Sequence, residues 1–571
     1  MVDIQELERR IDQALGREPA DLVVRNARVL NTATGQIDLP TDVAVTGDTI
    51  VAVRSDLEGR EVIDAGEKIA APGFIDTHLH LESSMVVPSA FERLVVPRGT
   101  TTAICDPHEI ANVLGADGIR YFLDASQHLH LSLKVNLSSC VPATHLETAG
   151  ARLELEDLLA LADHPSVIGL AEMMNFPGVL AKDPLVLAKL AGFGERHIDG
   201  HCPLVTGADL DAYLACGIRT DHEATLREEA LEKLGKGAVI LMREGSVAKN
   251  VSTLAPLLTE ATWPSIAFCT DDRNPAEIEA EGHIDHCVRL AIRAGVPAIA
   301  AYRSATLAAA QTFGLTDRGL IGPGRRADIL LIDDLEAVRV AEVVVAGKRF
   351  DDRADQGSRS SETEAGRRSV RLSPISTERL AVEAKQGPRP VIGVRPLSLF
   401  TDRLSLALPS ENGVQRADPS AGIHKLAVVE RHGKGGSVGL GFVRGFGPMA
   451  GALATSVGHD CHNLTVVGAA DEDMAAAINA LIAMEGGLVA VQDGKVLAQL
   501  PLPIAGLISD RPASEVIHQL NGLKRAARDL GCVLEEPFMQ LAFLPLPVIP
   551  HLKLTDRGLV DVAAFRIVEE S

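Results

Sequence analysis

Between residues 74 and 272 the chain repeats one pattern, in which a short apolar run is followed by a segment with helical spacing, and most runs end in ionisable side chains. Short apolar runs of this kind are typical of strands that are buried on both faces of a parallel sheet. There are eight of them: FIDTHLH (74–80), TTAICDP (101–107), LKVNLSSCV (133–141), VIGLAEMM (167–174), RHIDGHC (196–202), IRTDHEA (218–224), AVILMRE (238–244) and IAFCTDD (266–272). Eight strands that alternate with helices over roughly 250 residues predict an α/β fold of the (β/α)8 TIM barrel class.

Histidine and carboxylate side chains recur at the ends of these runs. The six that we take as metal-ligand candidates are His78, His80, Glu172, His201, His222 and Asp271. Because the carboxyl ends of the strands gather at one mouth of such a barrel, residues that lie far apart in the sequence should converge there. Imidazoles and carboxylates that meet in one pocket can hold two divalent cations and activate a water near neutral pH. The pattern therefore predicts a binuclear metal centre.

Several of these residues also have an interpretation that needs no metal. His78 and His80 lie two apart, so on a strand both imidazoles face one side and can bind one ion, although such pairs are commonly satisfied by hydrogen bonds. Glu172 can offer one carboxylate oxygen to each ion, whereas the alternative is a buried glutamate paired with a basic residue. Asp271 can bind an ion and accept a proton from water, and its alternative is to cap a helix. The agreement among all six positions favours the metal centre.

The composition excludes several classes of partner. The 571 residues carry a formal net charge of −22, which repels phosphate backbones and anionic lipid, so we expect neither nucleic acid nor a membrane as partner. The first residues lack the apolar core of a secretory signal, and no apolar stretch reaches the roughly 18 residues of a membrane span. The eight cysteines have no paired spacing, which is typical of a reducing compartment. We therefore expect a cytoplasmic protein.

Changes in composition divide the chain into parts. An N-terminal helix and short alternating strands occupy residues 1–70, and strands of the same style return at 318–350. These two segments flank the predicted barrel, 71–317, and we expect them to form one small composite β-sheet domain. A polar, charge-rich segment, 351–371, is interpreted as a linker. The remainder, 372–571, mixes strand-like runs with a clear helix and is predicted to be a separate C-terminal α/β domain.

A set of motifs carries a resemblance to a known family. They are APGFIDTHLHLESS, CDPHEIANVLG, GLAEMMNFPGV, DGHCP, RTDHEAT, MREGSVAKN, CTDDR and SVGHDCHNL. In these motifs, from about residue 20 to the C-terminus, the chain resembles the microbial adenine deaminases of the amidohydrolase superfamily. The resemblance includes the C-terminal domain, which most members of the superfamily lack. A glutamate in place of a bridging carboxylated lysine, together with DPHE and REGS, points to the adenine branch.

The resemblance implies hydrolytic deamination of adenine to hypoxanthine and ammonia by a hydroxide that bridges two divalent metal ions. It places the metal ligands on the six candidates given above, and none of them is substituted. The resemblance favours manganese as the metal. Iron and zinc remain alternatives, because His and carboxylate ligands suit all three metals. One departure is Cys202, which stands where a residue such as alanine is expected and is small enough for the site to survive.

The same chemistry assigns catalytic roles. Asp271 would take a proton from the attacking water and pass it to the departing amine. A second acid must protonate N1 of the purine as charge builds there, and Glu172, Glu109 and Glu223 all remain candidates. Asp106 and His108 end the second strand beside Glu109, and they would either contact the purine edge or support the metal ligands from behind.

Other residues are weaker candidates. Arg243 and Ser246 follow the seventh strand, where loops commonly build substrate pockets, and loop hydrogen bonding is the alternative. His459 and His462 in GHDCHN could bind an additional ion, but a structural or interface role is favoured.

Two other functions remain open on the sequence. The chain could be a different amidohydrolase that acts on another aminopurine or a cyclic amide, because the barrel scaffold hosts many substrates. It could also be a non-catalytic barrel scaffold, which predicts missing ligands, whereas all six are present. The large C-terminal domain favours a homo-oligomer, with a homodimer first.

Overall fold

The central unit of the computed structural model, which describes residues 3–351, 363–364 and 366–568, is a set of eight parallel strands at the eight predicted positions. The strands are Phe74–Leu79, Thr100–Cys105, Ser132–Leu137, Val167–Met173, His197–Gly200, Thr220–Asp221, Val239–Arg243 and Ile266–Cys269. The first five form one parallel sheet and the last three form another. Every residue of the first two strands is buried, which explains why they are continuous apolar runs without an exposed face.

Backbone hydrogen bonds join the two sheets at both pairs of edges. Between the first and last strands, the N–H of Asp271 donates to the carbonyl of His78 (3.0 Å) and the N–H of His80 donates to the carbonyl of Asp271 (3.3 Å). At the other edge, the N–H of Arg219 donates to the carbonyl of Ile198 (3.1 Å). The eight strands therefore form a curled parallel sheet whose first and last members lie side by side.

Helices follow and cover these strands. They are Pro88–Val95, His108–Leu114, Ala116–Ser126, Leu155–Leu159, Phe176–Leu180, Pro184–Gly192, Gly207–Ala215, Arg227–Gly235, Val251–Leu254, Pro275–Glu281, Ile284–Arg293, Ala298–Arg303 and Ala309–Thr312. The sequence fixes where some of them start. Asn274 accepts hydrogen bonds from two backbone N–H groups of the first turn, and Pro275 supplies the fixed φ of the first helical position.

A nine-stranded sheet contains strands from both sides of the central unit. Its members are Ala20–Asn31, Gln36–Ile37, Thr41–Thr46, Thr49–Arg54, Gly59–Asp64, Ile69–Pro72, Ile329–Asp334, Arg339–Val345 and Lys348–Arg349. Ile329–Asp334 pairs antiparallel with Ile69–Pro72, so the chain leaves the central unit beside the strand by which it enters. The helix Ile4–Ala14, capped by Asp3, contacts this sheet.

Residues 366–568, here called the C-terminal region, are built on an eight-stranded sheet. In spatial order its strands are Thr401–Leu406, Arg389–Val394, Val438–Arg444, Ile423–Val429, Leu464–Gly468, Ala452–Thr455, Gly487–Gln492 and Lys495–Pro501. Smaller sheets comprise Ser410–Glu411 with Val414–Gln415, and Leu552–Thr555 with Gly558–Asp561 and Arg566–Ile567. The helices are Asp471–Ala483, Ala513–Asp529 and Pro537–Ala542.

The C-terminal region packs directly against the central unit. The N–H of Ser509 donates to the carbonyl of Met85 (2.9 Å), and the side-chain amide of Asn463 donates to the carbonyl of Thr148 (2.9 Å). Met85 follows the first strand of the central unit, so the C-terminal region lies over the carboxyl ends of the strands. Most of the predicted linker, 351–371, lies outside the described residues. Within the part of the chain that the structure describes, no helix is both long enough and apolar enough to cross a bilayer.

Candidate metal centre and substrate cavity

Six side chains that the sequence predicts as metal ligands come together at the carboxyl ends of the strands. Glu172 lies at their centre. One of its oxygens, Oε1, faces His80 Nε2 at 3.4 Å and His78 Nε2 at 3.6 Å. The other, Oε2, lies 2.6 Å from His201 Nδ1 and 3.3 Å from His222 Nε2. The six residues His78, His80, Glu172, His201, His222 and Asp271 are called the six-ligand cluster below.

Asp271 completes the cluster on the side of the first histidine pair. Its Oδ1 lies 3.0 Å from His80 Nε2 and 3.7 Å from His78 Nε2. The residue has a positive φ of 54°, which is uncommon outside glycine and is tolerated best by Asp and Asn. The two backbone hydrogen bonds that join Asp271 to the first strand hold it in this conformation. Strain of this kind is characteristic of functional sites.

The two carboxylates of the cluster are held in the ionised form. Burial alone would raise the pKa of Glu172, but His201 and His222 outweigh burial and hold the pKa well below its usual range. Burial would also raise the pKa of Asp271, and Arg243, followed by His80 and His222, lowers it well below the ordinary value. Both groups can therefore act as anionic ligands.

The unsatisfied atoms of the cluster fit divalent cations. Nε2 of His78, Nε2 of His201 and Nδ1 of His222 are buried and have no hydrogen-bond partner among the described residues. In two subsets of the cluster, His78 with His222 and Asp271, and Glu172 with His201 and His222, the ligand atoms lie within 4.8 Å of one another. Buried polar atoms are normally paired, so imidazole nitrogens without a protein partner, in a cluster that also holds carboxylates, fit a site for divalent cations.

The first histidine pair is also oriented as metal ligands usually are. The other ring nitrogen of His78, Nδ1, lies 3.3 Å from the Asp199 carboxylate. The corresponding atom of His80 lies 3.0 Å from the carbonyl of Asp106. Metal-binding histidines commonly donate their second ring N–H to a carboxylate or carbonyl, which fixes the tautomer and leaves the opposite nitrogen free for the ion. Asp199 is a supporting residue that the sequence did not single out.

Arg243 lies behind Asp271 and does not line the cavity. Its Nη1 donates to Asp271 Oδ2 at 2.7 Å and also to Glu223 Oε1, and its Nη2 donates to Glu223 Oε2 at 3.1 Å. The side chain is 1% exposed. Because Arg243 occupies Oδ2 of Asp271, the other oxygen is left to face the histidines. Arg243, predicted as a substrate contact or a loop residue, therefore contacts the carboxylates of Asp271 and Glu223 in the structure.

The second strand leads into a buried network beside the cluster. His108 Nδ1 lies 2.9 Å from Asp106 Oδ2 and 3.6 Å from Glu172 Oε1. Its Nε2 lies 3.3 Å from Glu109 Oε1. His108 and Glu109 line the cavity, whereas Asp106 lies outside its lining and holds His108.

Ser246 lies apart from the other predicted site residues. Its hydroxyl donates to Glu277 Oε2 at 2.5 Å and accepts from the N–H of Asn274 at 3.0 Å. It does not line the cavity. The structure thus places Ser246 in hydrogen bonds at the start of the helix Pro275–Glu281, which is the alternative that the sequence left open.

A narrow cavity opens above the six-ligand cluster. One part of its lining consists of cluster residues with their neighbours His108, Glu109, Glu223 and Asp272. The C-terminal region supplies the other part, consisting of Leu399, His459, Asp460, Phe543, Leu546 and Ile549. Sequence reasoning missed this wall except for His459, because the apolar residues have no distinctive spacing.

Comparison with known proteins agrees with this geometry. The Amidohydrolase family model matches residues 69–350, and the model of the Adenine deaminase C-terminal domain matches residues 398–566. A protein of Methylobacterium nodulans named adenine deaminase is 56% identical over 564 residues, which cover 99% of each chain. Adenine deaminases of Gluconobacter oxydans, 54% identical over 98% of this chain and 99% of theirs, and of Brucella anthropi, 53% identical over 98% of this chain and 100% of theirs, are similar throughout. The chain therefore belongs to the adenine deaminase family.

Proposed function

We propose that this enzyme hydrolyses adenine to hypoxanthine and ammonia. One observation carries the proposal: the complete set of six ionisable ligands, five of them grouped around Glu172, lies at the base of a narrow cavity in a member of the adenine deaminase family. Buried imidazole nitrogens without a protein partner cost free energy that bound ions would offset, which favours a metalloenzyme over a barrel scaffold without metals.

We propose that the cluster holds two divalent ions, with manganese favoured over iron and zinc. His78, His80 and Asp271 would hold one ion, His201 and His222 the other, and Glu172 would contact both through its two oxygens. Oε1 of Glu172 faces one histidine pair and Oε2 faces the other, which supports this assignment. When bound, two such ions supply hydroxide near neutral pH by making water acidic.

Asp271 is assigned the proton transfers at the attacked carbon. Its carboxylate is ionised and can accept the proton of the attacking water, and it can then give that proton to the amine as the C–N bond breaks. Arg243 fixes the orientation of the carboxylate for both transfers. The overall balance is adenine plus water giving hypoxanthine plus ammonia.

We assign to Glu109 the transfer of a proton to N1 of the purine. Glu172 stands among the proposed metal ligands and both oxygens of Glu223 accept from Arg243, so Glu109 is the candidate acid that remains in the cavity. Its own oxygens contact the imidazoles of His108, His459 and His462, so it would have to take up a proton from one of them before passing it to N1. Burial would lower the pKa of the adjacent His108, but Asp106 and Glu109 raise it well above the ordinary value. His108 is therefore protonated near neutral pH and can supply Glu109 across the 3.3 Å between them.

A substrate panel tests the activity. The protein is stripped of metal, reloaded with manganese and assayed for ammonia release from adenine, adenosine, guanine and cytosine. Turnover of adenine well above the other three is expected. Turnover of another compound without adenine would replace this function with that of a different amidohydrolase that shares the metal chemistry.

We also propose the architecture and setting in which this site works. The parallel strands would close as a (β/α)8 TIM barrel of amidohydrolase type over 71–317, with a composite sheet domain from 1–70 and 318–350 and a C-terminal α/β domain over 372–571. The edge hydrogen bonds and the shared nine-stranded sheet support these divisions. The eight cysteines are free, which suits a cytoplasmic enzyme. We propose a homodimer, which light scattering on the eluted protein tests.

A further inference from the structure

The loop Gly458–Asn463 of the C-terminal region reaches into the cavity wall and contacts Glu109 with two histidines. His459 Nδ1 lies 2.5 Å from Glu109 Oε1, and His462 Nε2 contacts Glu109 Oε2. Both imidazoles and the carboxylate are buried. The C-terminal region thus contacts a residue with a proposed catalytic role. The two histidines differ in whether a ring nitrogen remains free to bind a ligand.

His462 serves to hold Glu109. Its Nδ1 accepts a hydrogen bond from the N–H of Gly458 at 3.2 Å, so the ring carries its proton on Nε2, which faces the carboxylate. A metal ion needs the lone pair of the ring nitrogen that it binds, and in His462 the nitrogen that faces the cavity wall carries the ring proton. This geometry does not fit an additional ion bound by His462.

Two contacts fix the ring of His459, and one ring nitrogen has no hydrogen-bond partner among the described residues. Its ring stacks in parallel on Phe543, with centroids 4.1 Å apart and an interplanar angle of 0°. Its Nδ1 is occupied by Glu109. Its Nε2 is buried and has no hydrogen-bond partner among the residues that the structure describes. That atom lies 4.0 Å from Asp272 Oδ1, and both residues line the cavity.

We propose that His459 binds the substrate by donating a hydrogen bond from Nε2 to a ring nitrogen of a planar heteroaromatic base. Three carboxylates, those of Glu109, Asp272 and Asp460, surround the imidazole, so the charge balance favours the form in which both ring nitrogens donate. In adenine the acceptors that the reaction does not use are N3 and N7. The inference rests on the proposed function and deepens it, because it makes the C-terminal region part of the substrate site.

A pair of substitutions separates the two nitrogens of the ring. In His459→Asn the side-chain amide takes the place of Nδ1, so the contact with Glu109 is kept and Nε2 is lost. In His459→Gln the amide reaches the place of Nε2 instead. His424→Gln is the matched control, because His424 is a buried histidine of the same region whose Nε2 pairs with the Met449 carbonyl (2.8 Å) and which does not line the cavity.

The assay compares kcat/KM for adenine, 3-deazaadenine and 7-deazaadenine in manganese-loaded enzyme of verified metal content. A hydrogen bond from a charged donor predicts that one of the two analogues loses about 10- to 100-fold against adenine in the parent enzyme. In His459→Asn, kcat/KM for adenine should fall by a similar factor, and the variant should no longer distinguish adenine from that analogue. His459→Gln should recover part of the loss, and the control should match the parent.

Equal discrimination in the parent and in His459→Asn, with adenine still turned over, would overturn the role of His459 and leave the deaminase activity intact. Absence of adenine turnover in the parent would overturn the proposed function itself. If the variants do not fold, a crystal structure of the parent with hypoxanthine decides: Nε2 within hydrogen-bond distance of N3 or N7 supports the inference, and any greater separation refutes it.

Discussion

Replacing Arg243 by methionine tests whether Arg243 positions the carboxylate of Asp271. The guanidinium is 1% exposed and donates to two carboxylates, Asp271 at 2.7 Å and Glu223 at 3.1 Å. Methionine fills a similar volume but cannot donate. Two buried acids of like charge would then face each other without the cation that holds them, and Asp271 Oδ1 would lose its fixed direction toward His80.

The magnitude follows from the burial. Removing one partner of a buried ion pair costs about 3–5 kcal/mol, because the remaining charge is left uncompensated. For a unit of about 250 residues, each kcal/mol shifts the melting temperature by roughly 2–4 °C, so a decrease of about 6–20 °C is expected. Misplacing a catalytic group by about 1 Å can cost about 100-fold in rate, and we expect kcat/KM for adenine to fall by about that factor.

Differential scanning calorimetry and steady-state kinetics measure the two effects. Arg318→Met is a control, because Arg318 is 7% exposed and donates to Thr102 Oγ1 at 2.7 Å near the amino end of the strand Thr100–Cys105. The control should lose stability but keep the kcat/KM of the parent. Equal catalytic losses in both variants would mean that Arg243 acts through stability alone, and an unchanged Arg243→Met would refute the reasoning altogether.

Three further changes have defined outcomes. Lys233→Met should lower the free energy of unfolding in urea by about 3–5 kcal/mol, because the buried Lys233 Nζ bonds Asp221 at 2.9 Å; no change would contradict this. Burial would raise the pKa of Asp221, but Lys233 holds that pKa below the unfolded value of about 3.9. The difference in unfolding free energy between the parent and Lys233→Met should therefore shrink as the pH falls below that value. Ser246→Ala should keep the KM for adenine, and a large increase would place its hydroxyl in the site. Lys553→Met should raise that KM, because Lys553 Nζ donates to the carbonyls of Leu399 and Phe543 (2.9 Å each) in the cavity wall, and an unchanged KM would mean that the wall needs no such support.

The convergence of the cluster could be predicted because each ligand stands at the end of a buried strand. The period of a strand turns His78 and His80 to one side, and parallel order brings the ends of distant strands together. Glu172 could be placed between two ions because its carboxylate can offer one oxygen to each. The sequence pattern was informative here because strand geometry leaves few places for these side chains.

Arg243 and Ser246 show where the pattern stops being informative. Arg243 ends the seventh strand and Ser246 lies three positions later, yet Arg243 turns inward to Asp271 and Ser246 turns away to Asn274. That choice depends on how the loop after the strand is hydrogen-bonded, and spacing does not encode it. Phe543 and Leu399 illustrate a second limit, since apolar residues of a distant region carry no sign that they will cover a cavity.

Metal titration of the stripped protein tests the central claim most directly. Manganese is added in steps while ammonia release from adenine is followed, and the loaded protein is then crystallised for anomalous scattering. The account predicts that activity rises to a break at two equivalents per chain, with both anomalous peaks inside the six-ligand cluster, one on each side of Glu172. Full activity without metal, or peaks outside that cluster, would contradict it.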